Sequence, residues 1–249
     1  MKISNTELLR YSKQIILKKI GISGQKKIFS AKILIVGIGG LGCPLALYLA
    51  NTGIGIIGLI DNAKIDITNL NRQILFNTED IGKYKVVQAK KFFNKTNKKI
   101  KINIYKDRLT EKNIKKILNK YDIICDCSDN FTTRYILNSF CFKNKKILIS
   151  AAINKFDAHI FNFDFSKNIP CYKCFMPESP DAENKCDTEG ILPSVAGIAG
   201  SLQANEVIKS ILSKKNELVG KMIVFNTLNL DFRKVKLTKN SNCLCCSKK

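Results

Sequence analysis

Three glycines and one acid form the clearest chemical pattern in the sequence. Gly37, Gly39 and Gly42 match G-x-G-x-x-G, and Asp61 follows Gly42 by 19 residues. Because glycine has no Cβ, the backbone can approach a phosphate, the next helix can donate its first N–H groups, and the acid can accept from ribose hydroxyls. The pattern predicts a nucleotide site, but it suits a nicotinamide dinucleotide as well as a triphosphate.

A donor-rich stretch follows these residues. It contains Asn69, Arg72 and Gln73, and Lys85 comes next at the start of a predicted helix. If the chain folds back toward the glycine loop, these side chains bring hydrogen-bond donors and two positive charges to it. That environment suits a triphosphate, because the leaving pyrophosphate builds up negative charge. Without that context, Arg72 and Lys85 would be ordinary surface charges.

A dehydrogenase would need a proton relay beside the nicotinamide, commonly a His, Tyr or Lys side chain. The one histidine of the chain, His159, occurs in "DAHIFNF", whose alternation predicts a strand. The sequence therefore favours a triphosphate, and the oxidoreductase alternative stays open.

Ten cysteines in one chain indicate metal or sulfur chemistry. Cys171-x-x-Cys174 and Cys243-x-x-Cys246 are separated by 68 residues, which predicts a structural four-thiolate zinc site fastening the C-terminal tail. Cys245 leaves a register ambiguity, although the spacing favours Cys243 with Cys246. Unrelated thiols or a redox pair are the alternative. Four other cysteines fall on predicted core elements and are expected to be small buried side chains: Cys43, Cys125, Cys127 and Cys141.

The elements that position these residues alternate between strand and helix. "AKILIVG" predicts a buried strand, "LGCPLALYLANTG" a helix that stops at Gly53, and "IIGLID" a second strand. Further helices are predicted over 83–95, 110–121 and 131–144, and further strands over 100–106, 122–129 and 146–152. This order predicts an α/β fold with a Rossmann-like, doubly wound, mainly parallel sheet, which binds ligands beyond the carboxyl ends of its strands.

The pattern changes near residue 155. "AHIFNFDF" predicts a strand, "GIAGSLQANEVIKSIL" a long helix after a cysteine-rich loop, and "GKMIVFNTLNLDFRKVKL" two late strands in an antiparallel C-terminal extension. No repeat or linker divides the chain. We expect one domain over 1–249, consisting of an N-terminal helical segment (1–30, with a helix over about 5–19), a nucleotide-binding core (31–154) and a carrier-binding and zinc region (155–249).

The formal charge of +22 raises the question of nucleic-acid binding. Only five of the 42 basic residues are Arg, which favours compositional drift that has placed Lys residues on solvent-exposed faces. An acidic protein partner and a polynucleotide are the alternatives. The N-terminus does not resemble a signal peptide, and no segment approaches ~18 uninterrupted apolar residues. We therefore expect a cytoplasmic protein without a membrane span.

Seven motifs occur in order across nearly the whole chain and together resemble one family. They are "RYSKQI", "GIGGLG", "TNLNRQ", "GKYKV", "CDCSDNFTTR", "CYKC" and "NKCDTEG". The set is similar to the ThiF/MoeB (HesA/MoeB/ThiF) sulfur-carrier adenylyltransferases, which are related to ubiquitin-activating enzymes. The resemblance implies that the C-terminal glycine carboxylate of a ubiquitin-like carrier attacks the α-phosphate of ATP with Mg²⁺ present, giving an acyl-adenylate and pyrophosphate.

The resemblance also assigns roles to individual residues. It implies that Gly40 and Asp61 contact the nucleotide, that Asn69, Arg72 and Lys85 contact the phosphates, and that Asp129 binds Mg²⁺ with Asn130 beside it. Arg134 would orient the "SDN" loop or bond the carrier's tail, with a plain helix-surface position as the alternative.

Two positions depart from the family pattern. Lys13 stands where the family usually has an Arg that reaches the ATP site of the neighbouring subunit, so the charge remains but the planar fork is lost. Ala63 stands where the family often has a second acid, so contacts from that position cannot be carried over. Cys186 matches a family cysteine that can receive the activated carrier as a thioester or an acyl disulfide.

The implied partners are a small sulfur carrier with a C-terminal glycine, a second copy of the chain, and a sulfurtransferase or cysteine desulfurase. "RYSKQI", "GCPLALYLA" and "RQILFNTEDI" resemble the thiamine type more than the molybdopterin type, which is kept as the alternative. Two other functions stay open: a nicotinamide-dependent oxidoreductase, and a non-catalytic zinc-stabilised module that uses its charge to hold an acidic carrier or nucleic acid.

Overall fold

The computed structural model describes residues 3–178, 190–212 and 216–247. In this part of the chain, eight strands form a single sheet. The strands are β1 (Lys32–Val36), β2 (Ile56–Ile60), β3 (Lys101–Tyr105), β4 (Ile123–Asp126), β5 (Ile147–Asn154), β6 (Asp157–Asp164), β7 (Lys221–Asn226) and β8 (Asp231–Lys236). Their order is β3-β2-β1-β4-β5-β6-β7-β8. Strands β1 to β5 pair in parallel, and β6 to β8 extend the sheet antiparallel, as the sequence predicted.

Helices cover both faces of this sheet. They are α1 (Asn5–Arg10), α2 (Ser12–Ile15), α3 (Gly21–Ser30), α4 (Gly42–Thr52), α5 (Lys85–Thr96), α6 (Ile114–Leu118), α7 (Phe131–Lys143), α8 (Tyr172–Phe175) and α9 (Pro193–Leu212), with 3-10 turns at Ile67–Asn69 and Thr78–Asp80. Among the described residues, no helix is both long and apolar enough to cross a bilayer.

Two predicted helices differ from the observed ones. The helix expected over 5–19 breaks at Tyr11, whose buried ring packs 5.1 Å from that of Phe29 in α3. Helix α3 lies in the helical segment expected over 1–30, but the sequence analysis gave it no bounds of its own. The helix expected over 110–121 is reduced to α6. Its first turn is lost because the Asn113 side chain bonds the Thr110 N–H and the Arg108 carbonyl (both 2.9 Å) and so competes with helical hydrogen bonds.

The parallel strands are buried on both faces. Ile33 and Ile35 of β1 belong to a core with α3, α4, α5 and α9, whereas Leu34 and Val36 belong to a second core with α6, α7 and α8. Successive side chains of a strand point to opposite faces, so a continuous apolar run serves both layers. The sheet therefore presents only its edges and strand ends for chemistry.

A glycine in β2 makes room for one large side chain. A Cβ atom at Gly58 would lie 2.4 Å from the ring and the hydroxyl of Tyr121, which is 1% exposed. The Tyr121 hydroxyl in turn lies 2.9 Å from that of Tyr105 and 3.3 Å from the Asn103 amide. The β2–β3 edge is thus packed around a tyrosine pair.

We expect Gly58→Ala to lower the free energy of unfolding by about 1–3 kcal/mol, because the added methyl group overlaps the buried tyrosine ring. Gly197→Ala in α9 is the matched control, since its Cβ atom would have no neighbour within 4 Å. The control should be neutral or more stable by roughly 0.5–1 kcal/mol. Urea denaturation followed by circular dichroism measures both, and equal stability of Gly58→Ala and the wild type would contradict this packing argument.

Candidate nucleotide site and cysteine cluster

The glycine loop joins β1 to α4 and is tightly folded. Gly37 has φ +91°, and a Cβ atom there would lie 2.8 Å from the carbonyl oxygen of Cys127. A Cβ atom at Gly42 would lie 2.1 Å from the Gly37 carbonyl. Neither position tolerates a side chain, whereas Gly39 and Gly40 lie on the partly exposed side of the loop. The loop leads directly into the first turn of α4, whose N–H groups can receive phosphate.

Asp61 is bonded to this loop. Its carboxylate accepts hydrogen bonds from the Ile38 N–H (2.8 Å) and from the Ala63 N–H (2.7 Å). A carboxylate offers about four lone-pair sites, so capacity remains for ribose hydroxyls. The Ala63 carbonyl accepts from the Lys85 N–H at 3.1 Å. Although position 63 lacks the family's acid, its backbone links Asp61 to the start of α5.

Arg72 and Gln73 fold back onto the glycine loop. The Cβ position of Gly40 lies 3.4 Å from Arg72 Cγ, and that of Gly39 lies 3.9 Å from Gln73 Nε2. Gln73 is 3% exposed, and its Oε1 has no hydrogen-bond partner among the described residues. Arg72 is held by Nη1, which donates to the Thr68 carbonyl (2.7 Å) and to Asn71 Oδ1 (3.0 Å).

Asn69 and Lys85 occupy the two ends of the same segment. Asn69 closes the 3-10 turn, with its Oδ1 accepting from the Asp66 N–H at 3.2 Å. Lys85 begins α5 and is 9% exposed. Burial raises the pKa of the Cys43 thiol to about 12, while the Lys85 charge acts to lower it and the Asp61 charge to raise it. Both charges therefore act on the same buried thiol, whose Sγ lies 3.8 Å from the Ile38 carbonyl of the glycine loop.

The glycine loop and the "SDN" loop begin side by side. Val36 at the end of β1 and Asp126 at the end of β4 are partners in the parallel register. Asp126 is 1% exposed, and its carboxylate accepts from the Ser128 N–H (3.0 Å), the Ser128 hydroxyl (2.6 Å) and the Ser150 hydroxyl (2.7 Å). Sequence reasoning missed this residue, because a single acid at a strand end carries no periodic signal.

Arg134 completes this network from α7. Its guanidinium is buried. Nη1 contacts Asp126 Oδ2 (3.5 Å), Ser150 Oγ (3.2 Å) and the Ala151 carbonyl (3.0 Å). Nη2 donates to the Ser128 carbonyl. The helix-surface alternative for Arg134 is therefore wrong. Its side chain orients the "SDN" loop, which was one of the two roles expected of it.

Asp129 projects from this braced loop. Its side chain is exposed and accepts from Asn130 Nδ2 at 3.2 Å. Asn130 caps α7, with its Oδ1 accepting from the Thr133 N–H at 2.9 Å. One exposed carboxylate fits Mg²⁺, which usually keeps several waters and is shared with substrate phosphates. Lys13 lies on the exposed surface of α2, and its role across a subunit interface stays a prediction. Cys186 lies outside the described residues.

The cysteine pairs meet as predicted. The Sγ atoms of Cys171, Cys174, Cys243 and Cys246 all lie within 4.8 Å of one another. The Cys171–Cys243 and Cys174–Cys246 sulfur atoms are 3.6 and 3.3 Å apart. A tetrahedral site with Zn–S bonds of about 2.3 Å needs sulfur separations of about 3.8 Å, so the four thiols fit zinc.

Cys243 belongs to this cluster, whereas Cys245 and Asn138 lie at its edge. Burial acts to raise the pKa of the Cys243 thiol, but backbone hydrogen bonds at Cys246 and Cys245 lower it to about 7. Cys245 stands outside the four-sulfur group and accepts from Asn138 Nδ2 at 3.3 Å. The choice of Cys243 with Cys246 is therefore confirmed. Asn138 Oδ1 also accepts from the Tyr172 N–H at 2.8 Å, which links the two cysteine pairs through α7.

The predictions of four small buried cysteines and of a strand position for His159 are confirmed. Four thiols are buried in the core: Cys43, Cys125, Cys127 and Cys141. His159 lies on β6 with the rings of Phe161 and Phe175 about it, at centroid distances of 6.3 and 6.1 Å. Burial lowers the pKa of His159 and so favours its neutral form.

Comparisons with known proteins agree with this geometry. The ThiF family model matches residues 11–245. Adenylyltransferase and sulfurtransferase MOCS3 of Culex quinquefasciatus is 40% identical over 249 residues, which cover 99% of this chain and 57% of that protein. The Dictyostelium discoideum protein of the same name is 39% identical over 98% of this chain and 58% of its own length. The chain thus spans little more than half of these relatives.

The fold also matches solved structures. E. coli MccB, solved with ATP, superimposes with a TM-score of 0.83 and 26% identity, over 96% of this chain and 75% of MccB. PaaA superimposes with a TM-score of 0.81 at 22% identity, which shows a shared fold.

We expect the full chain purified without chelator to contain about one equivalent of zinc, as a closed four-thiolate site requires. Cys174→Ser should lose most of it, because an alcohol at that position is a poor zinc ligand. Cys245→Ser is the matched control and should keep its metal. Metal analysis by mass spectrometry makes the measurement, and equal zinc loss in the two variants would contradict the four-sulfur assignment.

Proposed function

Because this chain belongs to the ThiF family, we propose that it is an adenylyltransferase. It transfers AMP from ATP to the C-terminal glycine carboxylate of a ubiquitin-like sulfur carrier and releases pyrophosphate. One observation carries the proposal: Arg72 touches the glycine loop, while Asp129 projects from the adjoining loop at the end of β4. Cationic and carboxylate groups thus flank the position at which the α4 N-terminus would receive phosphates.

This arrangement suits attack by one anion on another. A carboxylate is a poor electrophile, and a mixed anhydride with AMP gives sulfur a good leaving group to displace. In-line attack needs the phosphate charges shielded and the reactants aligned. Arg72 keeps Nε and Nη2 without a hydrogen-bond partner among the described residues, so it can donate to a phosphate without leaving Thr68 and Asn71. A bound Mg²⁺, held by Asp129, would supply further positive charge.

Lys85, Asn69 and Gln73 complete the set. Lys85 is a buried cation at a helix start, Asn69 carries two amide donors, and Gln73 lies against the loop. Asp61 binds the ribose in this account, and Gly40 contacts the nucleotide. The fold shared with MccB, a protein solved with ATP, supports ATP as the nucleotide.

Two types of carrier are candidates for this reaction. The sequence motifs favoured the thiamine-type carrier, whereas the relatives share the name MOCS3, which favours the molybdopterin type. We therefore propose a carrier of the molybdopterin type. Those relatives are also named sulfurtransferases, but this chain spans only 57% of the first of them, so we confine the proposal to adenylation. Acceptance of the carrier by Cys186 and a homodimer in which Lys13 serves the other subunit remain proposals from the family resemblance.

The oxidoreductase alternative loses its support. His159 is a partly buried residue of β6 beside the rings of Phe161 and Phe175, and the family match covers the glycine loop as part of a ThiF domain. A non-catalytic zinc module would not need Arg72 and Gln73 against the loop.

We expect carrier-dependent exchange of labelled pyrophosphate into ATP, and Arg72→Ala should lower its rate by roughly 10²–10³, as removal of one transition-state donor does elsewhere. Lys32→Ala is the control for loss of a positive charge, because Lys32 is an exposed cation at the first residue of β1, at the opposite end of that strand from the glycine loop. Both candidate carriers should be tried. No exchange with either carrier, together with tight NADH binding, would overturn the proposal.

A further inference from the structure

One face of α9 touches both loops of the candidate nucleotide site. Ala196 Cβ lies 3.2 Å from the Cβ position of Gly40. A Cβ atom at Gly200 would lie 2.6 Å from the Leu41 carbonyl, at the start of α4. Gln203 follows on the same face, because residues separated by four and seven positions align along a helix. The helix therefore packs against the glycine loop at one point and reaches the end of β4 at another.

Gln203 makes the second contact with its amide group. The side chain is 0% exposed, and Nε2 donates to the Asp126 carbonyl (3.0 Å) and to the Ile149 carbonyl (2.9 Å). Oε1 accepts from Cys127 Sγ at 3.2 Å. Burial raises the pKa of the Cys127 thiol, so it remains protonated and able to donate. One amide thus bridges the last residue of β4 and Ile149 of the neighbouring strand β5.

The bridged backbone leads directly to the proposed reactive groups. Asp126 and Cys127 come directly before Ser128 and Asp129 in the chain. The carbonyl oxygen of Cys127 also packs against the glycine loop, since a Cβ atom at Gly37 would lie 2.8 Å from it. A shift of this backbone would move the Asp129 carboxylate and the glycine loop relative to each other. The opposite face of the sheet already braces Asp126 through Arg134, so Gln203 supplies the support from the α9 side.

We propose that Gln203 is a positioning residue that sets the separation between Asp129 and the glycine loop and thereby the affinity for ATP complexed with Mg²⁺. The inference rests on the proposed function, since Asp129 must bind Mg²⁺ for it to hold. Replacing a residue that supports a metal ligand, without itself binding the metal, commonly changes the metal affinity by about 10–100-fold. Packing alone would predict a loss of stability without a specific effect on Mg²⁺.

A second buried glutamine provides the matched control. Gln25 in α3 is also 0% exposed, and its Nε2 donates to the Thr52 carbonyl at 3.1 Å while its Oε1 accepts from Gln14. It lies among the N-terminal helices, away from the end of β4. Gln25→Leu removes the same kind of buried amide as Gln203→Leu, so the two variants separate a general stability effect from a local one.

The test is calorimetric titration of ATP into the full chain with and without Mg²⁺. We expect Gln203→Leu to weaken ATP binding with Mg²⁺ by about tenfold, to change Mg²⁺-free binding much less, and to leave Gln25→Leu within about twofold of the wild type. Gln203→Met, which keeps the length of the side chain but has no donor to the two carbonyls, should behave likewise and replaces the first variant if that one does not fold.

Two results would overturn the inference: equal Mg²⁺ dependence in the Gln203 and Gln25 variants, or ATP binding by the wild type that does not respond to Mg²⁺. Pyrophosphate exchange by the wild type is measured in parallel. If exchange fails while Gln203 still controls Mg²⁺-dependent ATP binding, the proposed adenylation is wrong and the positioning role stands.

Discussion

The buried carboxylate of Asp126 is the constraint on which the site depends. A charge that is 1% exposed is costly unless hydrogen bonds and an opposite charge compensate for it, and here two serine hydroxyls, one N–H group and the Arg134 guanidinium do so. Those partners come from the loop after β4, from β5 and from α7. The hydrogen bonds and the ion pair of the Asp126 carboxylate therefore fix the path of the loop that carries Asp129.

The same strand end is held from both layers of the fold. Arg134 reaches it from α7 on one face of the sheet, and Gln203 reaches it from α9 on the other. Strands β1 and β4 are neighbours at the point where the strand order reverses, which is where ligands of doubly wound sheets bind. The glycine loop and the Asp129 loop meet there because Val36 and Asp126 pair in register.

Local patterns predicted much of this from sequence alone. Strand alternation, the helix stop at Gly53 and the glycine spacing depend on residues close together in the chain, and the cysteine pairs depend on a spacing that metal chemistry fixes. The missed features depend on tertiary partners. The helix break at Tyr11 requires Phe29 and Asn97, and Tyr11 offers no local breaker signal. Asp126 and Gln203 acquire their roles from buried hydrogen bonds to distant backbone groups, which no periodicity encodes.

The central claim is that a carrier carboxylate attacks the α-phosphorus of ATP in this site. The most direct measurement uses a glycine-tailed carrier whose C-terminal carboxylate is labelled with ¹⁸O, followed by capture of the acyl group with hydroxylamine and mass analysis of the released nucleotide. Attack at the α-phosphorus leaves the bridging oxygen on the nucleotide, so the account predicts AMP that carries one ¹⁸O atom. Release of ADP, or of AMP without the label, would contradict it.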